Sequence, residues 1–339
     1  MVKYKAPLRE YEFILREVLG IEKELGSYPE YSEATWDMIE MISEQFAKIN
    51  EDYWLPSAKV GDEVGVKFED GNVIVPESMK EATNVVIEGG LTQLFGHQEY
   101  GGMEFPNVIN VLSDEMSCAA NMSLGIYLGL TKGAYHCIHK HGSQEIKQRY
   151  LPKFLSGEWF GTMCLTEAHC GTDLGLIRTS AKPDGDNYLV SGQKIFISCG
   201  EHDMGENIIH LVLARLPDAP KGVKGISLFL IPKFKVNDDG TIGERNNVNC
   251  VSIEEKMGVH GSATCVMSFE ESTGYLIGEL NDGLAAMFSM MNTERIAVGL
   301  QGLGQAEIAY QNALAYSKDR IQGRDLKEAR NPEDEADPL

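Results

Sequence analysis

The sequence predicts an α+β protein built from three consecutive blocks: helices over residues 1–157, strands over 158–275 and helices again over 276–339. Apolar residues recur at helical spacing in the first and last blocks. In the middle block they form short runs separated by glycine, aspartate, asparagine and proline. Segregated blocks favour an α+β fold over a doubly wound sheet. We expect a helical N-terminal domain, a β-barrel or β-sandwich middle domain and an incomplete C-terminal helical bundle.

Helical periodicity is clear in both outer blocks. The segment EATWDMIEMISEQFAKI (33–49) places Trp36, Ile39, Ile42, Phe46 and Ile49 at helical spacing. Residues 105–142 continue the pattern and are rich in alanine, methionine and leucine, so we expect closely packed helices. The same period returns over 284–320, where the methionines are predicted to be core residues.

The middle block carries the strand signals. Its apolar runs are FGTMCLTE, NYLVSGQKIFIS, NIIHLVLARL, GISLFLIPKF and ATCVMSFEES. Turn-forming segments such as DGDN (184–187) and PDAPKG (217–222) lie between them. This pattern predicts an antiparallel sheet.

Charge and composition exclude several function classes. The formal net charge is −21, so a nucleic-acid partner is not expected. Seven cysteines occur without a C-x-x-C pair, which favours a reducing, cytoplasmic location over a disulfide framework. HCIHKH (136–141) lacks the second cluster that a four-ligand zinc site needs, so no metal is expected. No apolar run is long enough to span a membrane.

The stretch CLTEAHCGTDLG (164–175) is the most informative motif. It ends a predicted strand and continues into a turn that carries Gly171 and Thr172. Glycine allows close approach of backbone to a ligand, and successive N–H groups in such a turn bind anionic oxygens. A second strand end, KIFISCG (194–200), places Phe196 beside Ser198, which suits a flat heteroaromatic ligand. Taken alone, Phe196 is more typical of a core position.

Together, LTEAHCGTD, GQKIFIS, ERIAVGLQGLGQA and the α–β–α order resemble the acyl-CoA dehydrogenase family of flavoproteins. The N-terminal and 205–233 segments are most similar to its large branch, which includes 3-(methylthio)propionyl-CoA dehydrogenases. That branch extends well beyond 339 residues, so we expect the chain to be truncated at its C-terminus.

The resemblance implies bound FAD and a set of contact residues. It assigns the flavin ring and its phosphates to Leu165, Thr166, Gly171, Thr172, Phe196, Ile197 and Ser198. It assigns CoA contacts to Thr172, Asn292, Thr293 and Arg295. Arg320 matches an arginine that reaches the FAD pyrophosphate of a neighbouring subunit, although alone it is more typical of a solvated helix charge. A homodimer or homotetramer is therefore expected.

The resemblance also implies the reaction, in which a carboxylate removes the α-proton of an acyl-CoA while hydride leaves the β-carbon. In most of the family this base is a glutamate in later helices, in a Tyr-Glu-Gly-like context that is absent after Asp282. We therefore expect the main base beyond Leu339. Glu294 is the candidate within the chain, because a minority of the family presents its base from that position.

Three functions fit these observations. The first is an FAD-dependent dehydrogenase that converts an acyl-CoA, such as 3-(methylthio)propionyl-CoA or a short or medium fatty acyl-CoA, to its trans-2-enoyl-CoA. Its electrons would pass to an electron-transfer flavoprotein. The second is an acyl-CoA oxidase on the same fold. The third is a catalytically silent fragment that binds flavin or CoA.

Overall fold

Helices dominate the first part of the chain and return at its end. The computed structural model describes residues 2–323 and 337–338. The helices are α1 (Leu8–Glu12), α2 (Ile21–Leu25), α3 (Trp36–Ile49), α4 (Leu55–Glu63), α5 (Glu77–Glu88), α6 (Asn107–His141), α7 (Gln144–Leu155) and α8 (Gly283–Asp319). The five apolar residues predicted to share one face of α3 are all buried. The predicted helical character of the first block is thus confirmed.

A small hairpin interrupts this helical block. Strands β1 (Lys67–Glu69) and β2 (Asn72–Ile74) pair antiparallel. Asp70 and Gly71 connect them with φ of 49° and 81°. Two consecutive positive φ values characterise the tight hairpin turn that Asp-Gly favours. The Asp-Gly pair was the sequence signal for this hairpin, which the helical prediction did not include.

The remaining strands follow α7. They are β3 (Trp159–Cys164), β4 (Ser180–Asp184), β5 (Asn187–Ser198), β6 (Asn207–Ala214), β7 (Ser227–Pro232), β8 (Phe234–Val236), β9 (Ile242–Arg245), β10 (Val248–Ile253), β11 (Thr264–Ile277), β12 (Ile321–Gly323) and β13 (Asp337–Pro338). Seven of them form one sheet in the order β3-β6-β7-β11-β5-β4, with β10 added on β11. A bridge between Ser180 and Arg215 joins the start of β4 to the end of β6, so the sheet curls towards a barrel.

One pairing differs from the predicted antiparallel sheet. Strands β3 and β6 are parallel, with Trp159 opposite Asn207 and Cys164 opposite Val212. A parallel pair needs a long crossover, and residues 165–206, which include the β4–β5 hairpin, supply it. Every residue of β6 and β7 is buried, because these central strands are covered on both faces. Their continuous apolar runs follow from this double burial.

Helix α6 folds back on itself. Its backbone leaves helical geometry at Asn121, with φ of −152° and ψ of 90°. The Lys132 ammonium lies 2.7 Å from the Asp114 carboxylate, although 18 residues separate them in the sequence. In a straight helix they would be roughly 27 Å apart. The bend at Asn121 therefore turns the two halves, 107–120 and 122–141, back towards each other.

Helix α8 packs against both halves of α6. A Cβ added to Gly304 would lie 2.7 Å from the backbone oxygen of Glu115, so the helices touch closely there. Met287 and Met290 are fully buried, which confirms their predicted core role, and the third predicted core methionine, Met291, is partly buried against the same core. The N-terminal segment crosses α8, where the Asn312 side-chain amide donates to the Lys3 carbonyl and accepts from its N–H, at 2.7 and 3.0 Å.

The helices of the described part lack a membrane-spanning candidate. None of them is long and apolar enough to cross a bilayer. The third predicted block is represented by α8 and two short strands, and residues 324–336 and 339 lie outside the described residues.

Candidate functional site

The two predicted binding strand ends lie side by side. The N–H of Ile195 donates to the Thr166 carbonyl at 2.9 Å. This bond joins the segment after β3 to the end of β5. Leu165 and Thr166 are partly buried at the junction. The sequence predicted both segments as ligand contacts, and the structure places them together.

A tight turn follows Thr166. Glu167 and Cys170 exchange two backbone hydrogen bonds of 2.8 and 3.0 Å. Gly171 and Thr172 come next and are exposed. A Cβ added to Gly171 would lie 3.2 Å from Cγ2 of Thr166 and 3.7 Å from its hydroxyl oxygen. Gly171 thus leaves the space above the Thr166 side chain open.

A buried ion pair, which was not predicted from the sequence, stabilises this turn. Lys194 donates to the Glu167 carboxylate and to the Leu165 carbonyl, both at 2.9 Å. Glu167 also accepts bonds from the backbone of Arg178 and from the backbone and hydroxyl of Thr179. Burial opposes ionisation of Glu167, but Lys194 and these bonds outweigh it and hold its pKa below the ordinary value.

Burial also lowers the pKa of Lys194, whose side chain is fully enclosed. The carboxylate and the ammonium therefore depend on each other for charge compensation. The acid of Leu-Thr-Glu and the lysine of Gly-Gln-Lys, each at or directly after the apolar run of a predicted strand, were the sequence signals for this pair.

The end of β5 has an unusual backbone. Phe196 has a φ of 59° and is 58% exposed. It is therefore not a core residue, although a phenylalanine taken alone is more typical of a core position. A register shift in the pairing with β11 accompanies this conformation. A bulky residue at positive φ is strained, and such strain concentrates at functional sites. The result is an aromatic ring presented at the surface.

Ile197 and Ser198 differ in what they offer a ligand. The Ile197 side chain is 2% exposed and packs in the core of the sheet, so only its backbone is available. Ser198 is partly buried and lines a cavity.

This cavity has a volume of about 810 Å³ and lies between α6, α8 and β3. Most of its lining is apolar, with Phe95, Val108, Leu130, Trp159 and Met163 among the contributors. Charged residues also line it: Asp114, Lys132 and Glu294. A largely apolar cavity with a few convergent polar groups is the typical form of a small-molecule site.

Glu294 has an oxygen that lacks a partner. Its Oε1 is buried and makes no hydrogen bond to the described residues. Burial raises the pKa of the Glu294 carboxyl from 4.5 to about 7, with a further contribution from the Asp114 carboxylate, while Lys132 acts in the opposite direction. A carboxyl group with a pKa near neutrality is suited to proton transfer.

The other predicted residues on α8 occupy two places. Asn292 and Thr293 line the cavity next to Glu294. Arg295 is exposed, donates to the Asn292 side-chain oxygen at 2.6 Å and lies over the Phe288 ring at 5.1 Å. Arg320 is exposed at the far end of α8, roughly 40 Å along the helix axis from Glu294. The fold does not bring Arg320 to the cavity of its own chain.

Potential metal ligands converge in one place among the described residues. Glu167, His169 and Cys170 present their ligand atoms within 4.8 Å of one another. Both Glu167 oxygens already accept hydrogen bonds, including one from Lys194, so this carboxylate is committed to the ion pair. The His139 ring of HCIHKH stacks on His97 at 3.6 Å between ring centroids.

Comparison with known proteins agrees with this geometry. Residues 39–158 match the sequence profile of the acyl-CoA dehydrogenase N-terminal domain, and residues 162–272 match that of the middle domain. The chain belongs to the acyl-CoA dehydrogenase family. The resemblance and the fold predicted from the sequence motifs are confirmed.

Curated members of the acyl-CoA dehydrogenase family match nearly the whole chain. The 3-methylmercaptopropionyl-CoA dehydrogenase of Ruegeria pomeroyi is 44% identical over 95% of this chain and 55% of its own length. A butyryl-CoA dehydrogenase of Syntrophomonas wolfei is 40% identical over 97% of this chain and 56% of its own length. The chain thus spans little more than half the length of these relatives.

A solved acyl-CoA dehydrogenase has the same fold. The butyryl-CoA dehydrogenase of Megasphaera elsdenii superimposes with a TM-score of 0.69 at 25% sequence identity. The alignment covers 86% of this chain and 71% of that one.

Proposed function

We propose that this chain carries the flavin site and the acyl cavity of an FAD-dependent acyl-CoA dehydrogenase, which converts an acyl-CoA to its trans-2-enoyl-CoA. Support comes from the family membership and from the cavity, which is lined by both Ser198 of β5 and Glu294 of α8. The proposal includes the domain limits 1–157, 158–275 and 276–339.

The residues at the two strand ends fit a flavin. Phe196 offers an exposed aromatic ring, and Thr166 and Ser198 offer hydroxyl groups at the edge of the same sheet. Thr166 and Gly171 form an open cradle that a Cβ at Gly171 would fill. Leu165, Thr172 and the backbone of Ile197 complete the proposed contact set. Bound FAD would supply the hydride acceptor for this oxidation.

Glu294 is proposed as the residue that takes the α-proton. The observation that supports this role is its unpartnered Oε1 in a largely apolar cavity. A base must be free to accept a proton, and a pKa of about 7 allows it to do so near neutral pH. The rival assignment is a glutamate beyond Leu339, which the family resemblance implies.

The size of the cavity and the named relatives suggest the substrate class. A volume of about 810 Å³ accommodates a short or medium acyl group. The relative from Ruegeria pomeroyi is named for 3-methylmercaptopropionyl-CoA, and the relative from Syntrophomonas wolfei is named for butyryl-CoA. We propose one of these acyl groups as substrate, with Asn292, Thr293, Arg295 and Thr172 on the CoA side. The proposed assembly is a homodimer or homotetramer in which Arg320 serves a neighbouring subunit, and an electron-transfer flavoprotein accepts the electrons.

The test uses the purified chain with added FAD and stopped-flow absorbance without oxygen. We expect a yellow protein that bleaches with 3-(methylthio)propionyl-CoA or butyryl-CoA. Glu294→Gln should stay yellow but bleach at least about 100-fold more slowly. Glu279→Gln, which alters an exposed residue before α8, is the matched control and should bleach at the wild-type rate.

Each contrary result has a defined meaning. A chain that does not bind FAD contradicts the flavin site. A yellow chain that never bleaches favours a silent fragment, and peroxide release in air favours an oxidase. Full bleaching speed in Glu294→Gln would move the base to another residue.

A further inference from the structure

A second pair of charged residues lines the cavity that contains Glu294. Asp114 lies on the first half of α6 and Lys132 on the second, and their charged groups are 2.7 Å apart. Their side chains are 32% and 10% exposed, so the pair is largely withdrawn from bulk water. The fold-back of α6 at Asn121 creates this contact. The fold thus places an ion pair beside the proposed base.

Glu294 is close to this pair. A Cβ added to Gly133 would lie 2.6 Å from Glu294 Oε1, so the carboxyl group rests on the turn of α6 that also carries Lys132. Lys132 nevertheless bonds to Asp114 and not to Glu294. Three charges in one cavity therefore divide into a neutral pair and a single carboxyl group.

The other groups around Glu294 are few among the described residues. Cys199, which directly follows β5, is buried and interacts electrostatically with Glu294, but burial raises the pKa of its thiol to about 12, so the thiol stays neutral. Arg295 is next to Glu294 on α8, but it is exposed and bonds to Asn292. Asp114 and Lys132 are the charged groups that act on Glu294.

We propose that Asp114 is a positioning residue that binds Lys132, so that Glu294 remains free to exchange its proton with the substrate. Without Asp114, the Lys132 ammonium would turn to the remaining carboxylate in the cavity. Glu294 would then be held as an ion pair, which makes it a weaker base. This inference rests on the proposed role of Glu294 and adds the ion pair that keeps Glu294 able to accept a proton.

The two members of the pair should act in opposite directions. Asp114→Asn removes a negative charge and releases Lys132, and both changes favour the Glu294 carboxylate. Lys132→Met removes the positive charge and leaves Asp114, and both changes favour protonated Glu294. An unscreened neighbouring charge shifts such an equilibrium by about one pH unit or more.

The experiment measures Glu294 ionisation in two ways. One is the pH dependence of anaerobic bleaching by butyryl-CoA. The other is infrared difference spectroscopy of the FAD-bound chain, in which the band lost in Glu294→Gln identifies the protonated carboxyl group. We expect the midpoint to fall by about one pH unit in Asp114→Asn and to rise by about one in Lys132→Met. The double variant should lie between the two.

Lys80→Met is the matched control, because Lys80 forms a 2.6 Å ion pair with Asp203 outside the cavity. It should leave the Glu294 midpoint unchanged. Midpoints that do not move, or that move the same way in both single variants, overturn the proposal. If one variant fails to fold, the sign of the other decides.

The infrared measurement separates this inference from the proposed function. Opposite infrared shifts combined with full bleaching in Glu294→Gln would mean that the pair tunes Glu294 but that Glu294 is not the base. A bleaching defect in Glu294→Gln with no infrared shift in either pair variant would support Glu294 as the base. It would also show that the Asp114–Lys132 pair does not influence the ionisation of Glu294.

Discussion

The carboxyl group of Glu294 lies directly against the backbone of Gly133. A Cβ at Gly133 would stand 2.6 Å from Glu294 Oε1 and 3.0 Å from Met290 Cγ. Only a residue without a side chain allows α8 to present a carboxyl group at this point of the cavity. Contact between the two helices therefore decides where the proposed base sits.

The first prediction follows from this contact. Gly133→Ala should destabilise the fold by about 1–3 kcal/mol through overpacking and should slow bleaching by displacing the carboxyl group. Urea unfolding and stopped-flow absorbance measure the two effects.

Gly129→Ala is the matched control on the same helix. A Cβ there would meet nothing within 4 Å, so this variant should be as stable as the wild type or up to about 1 kcal/mol more stable. Equal behaviour of the two alanine variants would show that the close contact at Gly133 is unimportant.

The second prediction concerns pH and stability. The Glu294 pKa is raised from 4.5 to about 7 in the fold, chiefly by burial. Between these values the folded chain binds more protons than the unfolded chain, so this group stabilises the fold less as pH rises. Glu294→Gln cannot lose a proton, so its stability relative to the wild type should increase from about pH 5 to about pH 8.

Thermal unfolding over that pH range measures the difference. Glu88→Gln, which replaces an exposed glutamate on α5, is the control for the loss of a surface carboxyl group. A difference between Glu294→Gln and the wild type that stays constant over this pH range would mean that the cavity does not perturb the Glu294 carboxyl group.

The third prediction concerns the buried pair beneath the binding turn. Lys194→Met leaves Glu167 buried without its ammonium partner and should cost about 3–5 kcal/mol in the free energy of unfolding. The turn over 166–172 should loosen, so FAD binding should weaken as well. Denaturant unfolding and fluorescence titration with FAD measure these effects.

Lys182→Met is the control, since Lys182 is exposed on the neighbouring strand β4. It should change stability by less than about 0.5 kcal/mol. A similarly small loss in Lys194→Met would refute the anchoring role of the pair.

The fourth prediction separates ligand binding from folding at Phe196. Asparagine tolerates positive φ, so Phe196→Asn should keep the strand end folded while it removes the exposed ring. Loss of an aromatic contact worth about 0.5–1.5 kcal/mol should raise the Kd for FAD roughly two- to twelvefold, with little change in Tm.

Phe13→Asn provides the comparison, because Phe13 is 59% exposed in the N-terminal helical block. It should leave FAD affinity unchanged. An unaltered Kd in Phe196→Asn would remove this ring from the proposed flavin contacts.

Local sequence signals determined much of this protein. Helical spacing determined the buried face of α3, and short apolar or alternating runs separated by turn residues identified the strands. The motifs around Thr166 and Ser198 carried the resemblance to the family. Few residue types are tolerated at such positions, because the backbone there must approach a ligand closely. The hairpin at Asp70 also had a local signal, since Asp-Gly favours consecutive positive φ values.

Tertiary structure decided what depends on distant contacts. The fold-back of α6 brings Asp114 to Lys132, and these residues are far apart in the sequence. No repeating pattern of residues in the sequence predicts such a contact. The buried ion pair of Glu167 with Lys194 and the close contact of Glu294 with Gly133 also join residues that are distant in the sequence. Desolvation and charge pairing set the state of these groups, and both depend on which elements pack together rather than on neighbours along the chain.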